Sequence, residues 1–309
     1  MMKKYPVSPL LAWVWIAAFA VMTTSTLPLH AQTQSGLSFL KIGVGARATG
    51  MASAYTALAN DVTSIYWNPA GLASVRRNEL SAMHSEWLAG SNFDFLGFGR
   101  PWKAGSVALG VSALTHPTFE ARDETGRKVG SFDARDTAFT LAYGQRLMPG
   151  LQTGVGFKLI QSQIGQDRGQ GYAFDLGMSW NSAQRPVSLG ASVLNLGPGI
   201  RYIGETTRLP LTFSLGAAWH AIAGLSLAAD ARRLVYDGRT TLSIGTEYML
   251  LPMFTVRGGY LLSSATSLQQ ANALGMGFGL KLMGQKVDYA FTPFGELGAT
   301  QRISLNWRF

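Results

Sequence analysis

The chain has 309 residues, with 26 Lys and Arg against 17 Asp and Glu, for a formal net charge of +9. Charged residues are only 14% and apolar ones 47%, which excludes a disordered chain, because so apolar a sequence can bury surface. The 36 glycines argue against a helical bundle, since each would cost about 1 kcal/mol inside a helix. The lack of Cys excludes a disulfide scaffold, a thiolate metal site and a Cys nucleophile.

Residues 1–31 read as an export signal. Lys3 and Lys4 precede an apolar run, Leu10–Met22, and a polar stretch ends at Leu29-His30-Ala31. This is the order of a secretory signal peptide, and the apolar run is short for a spanning helix. No later stretch reaches 18 uncharged apolar residues, so no helical span is expected in the mature chain. Cleavage after Ala31 removes two lysines and leaves a basic protein. On an exported chain with scattered arginines, that excess points to anionic lipid or lipopolysaccharide head groups rather than nucleic acid.

Residues 32–77 do not alternate. Gly45–Asn60 is rich in Ala, with Met51, Tyr55 and Leu58 at helical spacing. Asn68-Pro69 marks a turn or helix start, with Pro69 suited to the first position of a short helix. The segment is expected to be a small helical hatch.

From residue 78 to Phe309 a period of two takes over. Ile303, Leu305, Trp307 and Phe309 alternate with Arg302, Ser304, Asn306 and Arg308, the apolar and polar faces of one strand. Similar alternation and turn signals predict fourteen strands. They lie near 78–88, 92–101, 103–116, 134–146, 150–163, 171–180, 186–196, 210–220, 224–235, 240–250, 253–263, 271–283, 285–293 and 299–309. Nearly all are long enough for a tilted transmembrane strand, which needs about 9–11 residues. From residue 101 onward the connections alternate between short and long, as in an outer-membrane barrel with short periplasmic turns and longer outside loops. Trp87, Phe93, Trp102, Tyr143, Tyr172, Trp180, Trp219, Tyr248, Tyr260 and Trp307 sit near strand ends, as interfacial aromatics do. The predicted fold is therefore all-β: a transmembrane antiparallel β-barrel of about 14 strands with an N-terminal hatch in its lumen, located in the bacterial outer membrane. A large soluble β-sandwich is the competing architecture. A lumen of this width needs filling, and the hatch is the candidate to fill it.

The run from Phe39 to Val62, continuing through Trp67-Asn68-Pro69-Ala70-Gly71-Leu72, resembles the PorV/PorQ family, a branch of the FadL-like outer-membrane barrels. His84–Trp87 and the hairpin to Asp94–Gly97 also fit, so the resemblance covers about residues 36–100. It implies a fourteen-strand barrel with a hatch. For PorV and PorQ it implies an accessory role in type IX protein secretion, handling exported cargo at the outer surface. For the fatty-acid transporters of the superfamily it implies uptake of hydrophobic small molecules through a lateral opening in the wall. The longest outside loop, 117–133, is shorter than the loops that build those transporters' outer docking site. The terminal Leu305, Trp307 and Phe309 resemble the C-terminal signature read by the barrel assembly machinery.

The candidate site residues are those of the hatch motif, as ligand contacts or gating elements: Arg47, Asp61, Trp67, Asn68, Pro69, Ala70 and Gly71. Arg47 and Asp61 are the natural hatch counterparts of charges expected in the lumen, among them Lys158, Asp175, Asp230, Arg232, Glu247, Arg257, Asp288 and Arg302. Gly43-Val-Gly45-Ala-Arg-Ala48 imitates a dinucleotide fingerprint but lacks the surrounding βαβ unit. No metal spacing links His84, His116 and His220, and there is no nucleophile elbow. The chain is expected to have no cofactor and no enzymatic activity. Its expected partners are outer-membrane lipid or lipopolysaccharide, the assembly machinery, exported proteins with secretion components, and hydrophobic small molecules.

Overall fold

The computed structural model describes residues 35–202, 205–263 and 273–309; the export segment lies outside them. Fourteen antiparallel strands close into one barrel. In chain order they are β1 (Glu79–Glu86), β2 (Asn92–Trp102), β3 (Gly105–Thr115), β6 (Ala134–Met148), β7 (Leu151–Ile164), β8 (Asp167–Asn181), β9 (Val187–Leu196), β12 (Thr212–Ile222), β13 (Leu225–Leu234), β14 (Arg239–Leu251), β15 (Phe254–Ser263), β16 (Ala273–Leu282), β17 (Gln285–Pro293) and β18 (Ala299–Arg308). Two small hairpins decorate the long loops: β4 (Phe119–Arg122) with β5 (Lys128–Phe132), and β10 (Ile200–Tyr202) with β11 (Glu205–Thr207). The ring closes where β1 pairs with β18, from Glu79 opposite Arg308 to Glu86 opposite Gln301. A closed ring leaves no edge, so backbone donors and acceptors find partners within the sheet.

The faces are inverted relative to a soluble sandwich. On β18 the buried residues are Thr300, Arg302, Ser304 and Asn306, while Ile303, Leu305 and Trp307 are exposed. Leu109, Leu141, Val155, Leu242 and Ile244 lie on the same outer face. This inversion excludes the sandwich, whose apolar face would be covered by a second sheet. Two of the expected girdle aromatics do not join that face. Phe93 is buried in the lumen, because Asn92, Asp94 and Leu96 take the outward positions of β2. Trp87 packs edge-on against Phe294.

At one end the connections are tight. Two-residue turns join β2 to β3, β6 to β7, β12 to β13, β14 to β15 and β16 to β17. Gly150, Gly224 and Gly284 stand in three of them with positive φ, which only glycine adopts freely and which matches the twist of a hairpin. The long loops and both decorating hairpins lie at the other end.

Residues 35–78 fill the lumen. They enter beside the long loops, where Gly36 N–H donates to Arg208 O, and leave at the short-turn end into β1. Helix is sparser here than the sequence predicts. Only Ala46–Gly50 and Ser64–Trp67 are α-helical, with 3-10 turns at Ser38–Lys41 and Pro69–Ser74. The expected helix through Asn60 stops because Ala52 and Ser53 take positive φ. The chain there bends to follow the wall.

Candidate functional site

The hatch meets the wall along two chemically different seams. The first is the Trp67–Gly71 motif against β6–β9. Trp67 is fully buried; its Nε1 donates to Val44 O at 2.8 Å. Tyr66 meets its ring edge-on at 4.9 Å, and Ser192 Oγ donates to its carbonyl. Asn68 is extended and caps the following turn, with Oδ1 accepting from Ala70 N. Its Nδ2 donates to Thr56 O and, across to β8, to Met178 O. Pro69 opens the 3-10 turn, where a missing N–H costs nothing. The wall opposite is glycine. A Cβ on Gly177 would stand 2.2 Å from Asn68 Oδ1, and one on Gly154 2.3 Å from the Pro69 carbonyl carbon. Gly71 is equally confined, against Ala59 O. Main chain therefore lies on main chain.

The second seam is ionic and joins the helix Ala46–Gly50 to β14, β15 and β17. Arg47 grips Glu247 with two parallel bonds, Nε to Oε2 at 2.8 Å and Nη2 to Oε1 at 2.9 Å, the fork geometry that strengthens such pairs. Its Nη1 donates to Tyr55 Oη and Asn60 Oδ1. Glu247 also accepts from Arg257 Nε at 2.7 Å, and Arg257 Nη1 lies 2.9 Å from Asp288 Oδ1. Asp61 turns inward on the hatch instead. It accepts from Tyr55 Oη and the Thr63 N–H, and stands 3.8 Å from Arg47. Arg47 thus has a wall counterpart, whereas among the described residues Asp61 pairs with no wall cation. Asp230 holds the hatch from β13, accepting from the N–H groups of Tyr55 and Thr56.

These seams divide the lumen. Towards the short turns lies a cavity of about 760 Å³ with a mixed lining, in which Arg47, Asn60, Asp61, Glu247 and Lys286 stand beside Ile222, Leu225 and Met249. Towards the long loops lies one of about 400 Å³. Its lining is largely apolar, with Phe39, Leu40, Ile42, Leu114, Leu194, Leu234, Leu261 and Phe294. Among the described residues no carboxylate lines it, but five cations do: Lys41, Lys158, Arg232, Arg239 and Arg302. Arg232 lies over the Trp67 ring at 4.7 Å and Arg302 over Trp87 at 5.1 Å. Tyr66 also lines this cavity, and burial pushes its phenol up to about 12. Arg47 and Asp61 line the first cavity; Trp67, Asn68, Pro69, Ala70 and Gly71 line neither. The motif packs between hatch and wall and faces neither of these two cavities.

Two features escape sequence reading. One is a tether at the mouth of the outer cavity. Asp237, in the loop between β13 and β14, accepts from Lys41 Nζ at 2.6 Å and from Ser35 N–H and Oγ–H. Burial pushes the Asp237 carboxyl up, but these bonds outweigh it and hold it below the usual carboxylate range. The other is a kink in the wall. The β8–β9 register shifts between Phe174 and Leu176, and Asn195 takes φ 61°. A buried Lys158–Asp175 pair at 2.8 Å anchors it, with Lys158 also donating to Asn195 Oδ1. Leu305, Trp307 and Phe309 face outward at the short-turn end, the last two rings 4.8 Å apart. Among the described residues no group of His, Asp and Glu is arranged to hold a metal ion.

The sequence model of the Uncharacterised protein family (UPF0164) matches residues 16–202, more than half of the chain. The chain belongs to this family. The match spans the hatch and the wall from β1 through β9. No curated protein matches the UPF0164 chain, but solved structures do. The Pseudomonas putida toluene transporter TodX superposes with a TM-score of 0.67 at 12% identity, over 85% of this chain and 96% of that one. The Ralstonia pickettii toluene transporter TbuX gives 0.66 at 12%, over 86% and 98%. A Pseudomonas aeruginosa FadL homologue gives 0.58 at 12%, over 85% and 97%. At such identity the likeness shows the fold alone: this UPF0164 member has a closed fourteen-strand barrel similar to those of these proteins.

Proposed function

We propose that the protein is an outer-membrane channel for the uptake of hydrophobic small molecules. The observation that carries this reading is the outer cavity, a chamber of apolar side chains interspersed with cations, between the long loops and a hatch that blocks onward passage. Its volume of about 400 Å³ lies within the range of small-ligand pockets. The carboxylate-free arginines favour a ligand with an acceptor or aromatic group, since Arg232 and Arg302 already offer charge and stacking there. The fold shared with toluene transporters supports the same reading, as does the apolar outer face, which needs lipid around it. The Asn195 kink borders the cavity through Lys158 and Leu194. It is the place where the outer half of the wall departs from regular pairing, so exit towards the membrane is assigned there. The protein acts by passage, without catalysis.

The test is uptake of a radiolabelled monoaromatic hydrocarbon and a long-chain fatty acid by cells expressing the protein. Leu194→Trp and Leu234→Trp, which fill the chamber, should abolish uptake while leaving barrel assembly intact. Uptake equal to that of cells lacking the protein, for both probes, sinks the reading.

The secretion-accessory reading draws its support from the Phe39–Leu72 run, which resembles PorV and PorQ. It expects exported proteins and secretion components as partners, and gene deletion should then impair surface attachment of cargo. In either case the outward Leu305, Trp307 and Phe309 serve as the signal to the assembly machinery; truncating Phe309 should lower the amount of folded barrel.

A further inference from the structure

The two ends of the barrel differ in charge. At the long-loop end acids and bases are mixed: Glu120 pairs with Arg122 and Lys128 at 2.7 and 2.9 Å, Asp123, Asp133 and Asp167 stand near Arg127, Arg135 and Arg168 in sequence, and Glu296 lies in the loop between β17 and β18. At the short-turn end the exposed charges are all basic. Arg76, Arg77, Lys103, Arg146, Arg185 and Lys281 ring the rim. Among the described residues, the one side-chain carboxylate in these turns or within two residues of them is Glu79. It is buried and accepts from Arg308 Nε at 2.8 Å. The positive excess of the mature chain is therefore concentrated on one rim.

That rim also carries interfacial aromatics. Trp102, Trp219 and Trp307 are exposed on the outer face there, and Lys103 Nζ sits 4.9 Å from the Trp102 ring centroid. Amphipathic rings at this position mark the head-group level of a bilayer. Arg76, Arg77, Lys281 and Arg308 border a notch of about 370 Å³ beside Glu79. Basic side chains beside such a belt lie within a Debye length of lipid phosphates.

We infer that the basic rim at the short-turn end binds anionic phospholipid head groups of the leaflet on that side. This rests on the membrane-spanning reading above and goes beyond the transport one. Net charge alone leaves anionic lipid and lipopolysaccharide as equal candidates; lipopolysaccharide would meet the opposite end, where acids offset the bases. Charge complementarity selects a phosphate carrying a full negative charge, as in phosphatidylglycerol, over zwitterionic head groups. The rim thus fixes the height and orientation of the barrel.

The experiment presents the full mature chain in detergent with equimolar phosphatidylglycerol, phosphatidylethanolamine and phosphatidylcholine of matched acyl chains. Retained lipid is read by native mass spectrometry. Phosphatidylglycerol should be enriched, and high salt should weaken the enrichment. The triple variant Arg76→Gln, Arg77→Gln, Lys281→Gln should lower the enrichment by up to roughly a hundredfold, given the worth of each basic residue near an anionic surface. Arg122→Gln, Arg127→Gln, Lys128→Gln at the other end should leave it unchanged. Equal retention of the three lipids, or equal loss in both variants, overturns the inference. Heat-modifiable gel migration is scored alongside. A variant that migrates as a folded barrel yet shows no change overturns the rim assignment. A wild-type chain that stays monomeric in detergent-free buffer overturns the membrane reading itself.

Discussion

The seam at Asn68–Pro69 and the seam at Arg47 hold the same hatch by opposite means. Against β6–β9 the contact is backbone on backbone, made possible by glycines and sealed by one asparagine. Against β14, β15 and β17 it is a chain of buried charges, Arg47–Glu247–Arg257–Asp288. The glycine seam has no slack, because main-chain atoms cannot rotate away from an added side chain. The ionic seam can rearrange, because its partners sit at the ends of flexible side chains. On the channel reading proposed above, the glycine seam would serve as the hinge and the ionic seam as the side that moves.

The largest effect is expected where slack is least. Gly154→Val places side-chain atoms within the Pro69 backbone, beyond the roughly 1–3 kcal/mol of ordinary overpacking. The hatch should fail to seat, which a planar bilayer reads as a large persistent conductance. A closed, wild-type-like conductance would show that the seam is not rigid. Next comes Glu247→Gln, which leaves Arg47 and Arg257 facing each other without their shared acid. Breaking a buried pair costs about 3–5 kcal/mol, read as a lower urea midpoint in detergent. Adding Arg47→Gln to Glu247→Gln, which removes one of the two cations left facing each other, should recover part of the loss; no recovery would mean that the hydrogen bonds, beyond the charges, are what matters.

Asn68→Ala sharpens the comparison at moderate cost. It strips partners from Thr56 O, Met178 O and Ala70 N, a loss of about 1–3 kcal/mol for a buried group left unpaired. The smallest effect concerns the Asp237 tether, outside both seams. Its carboxyl is held below the usual range in the folded protein, so its stabilisation is complete above the unfolded pKa and fades as pH falls through the folded one. Hydrogen exchange at the Ser35 amide, corrected for intrinsic rate, should quicken below about pH 4. Asp237→Asn should remove that pH dependence; if it persists, another group controls the mouth.

Much of the wall was legible because strand periodicity is local. Ile303, Leu305 and Trp307 alternate with Arg302, Ser304 and Asn306 whatever the rest of the chain does, and the expected fourteen strands are found within a few residues. Phe93 and Trp87 were misread as girdle residues because an aromatic near a strand end does not declare which face it takes. The helix across Gly45–Asn60 was overextended because alanine content reports propensity, while Ala52 and Ser53 bend under the wall's constraint. Arg47 was readable as a hatch cation, but its choice of Glu247 among many lumen acids was not. Lys41 and Asp237 are 196 positions apart, and no spacing rule reaches that far.

The sequence by itself determined an all-β chain of fourteen alternating strands ahead of which a non-alternating segment had to lie, because side-chain direction reverses at every residue of a strand. Only the tertiary structure decided how that segment is held: which glycines line up at one height, which carboxylate Arg47 takes, and that the basic excess gathers at one rim. Those outcomes depend on strand register and closure, which bring distant residues to the same level of the barrel and leave no trace in local spacing.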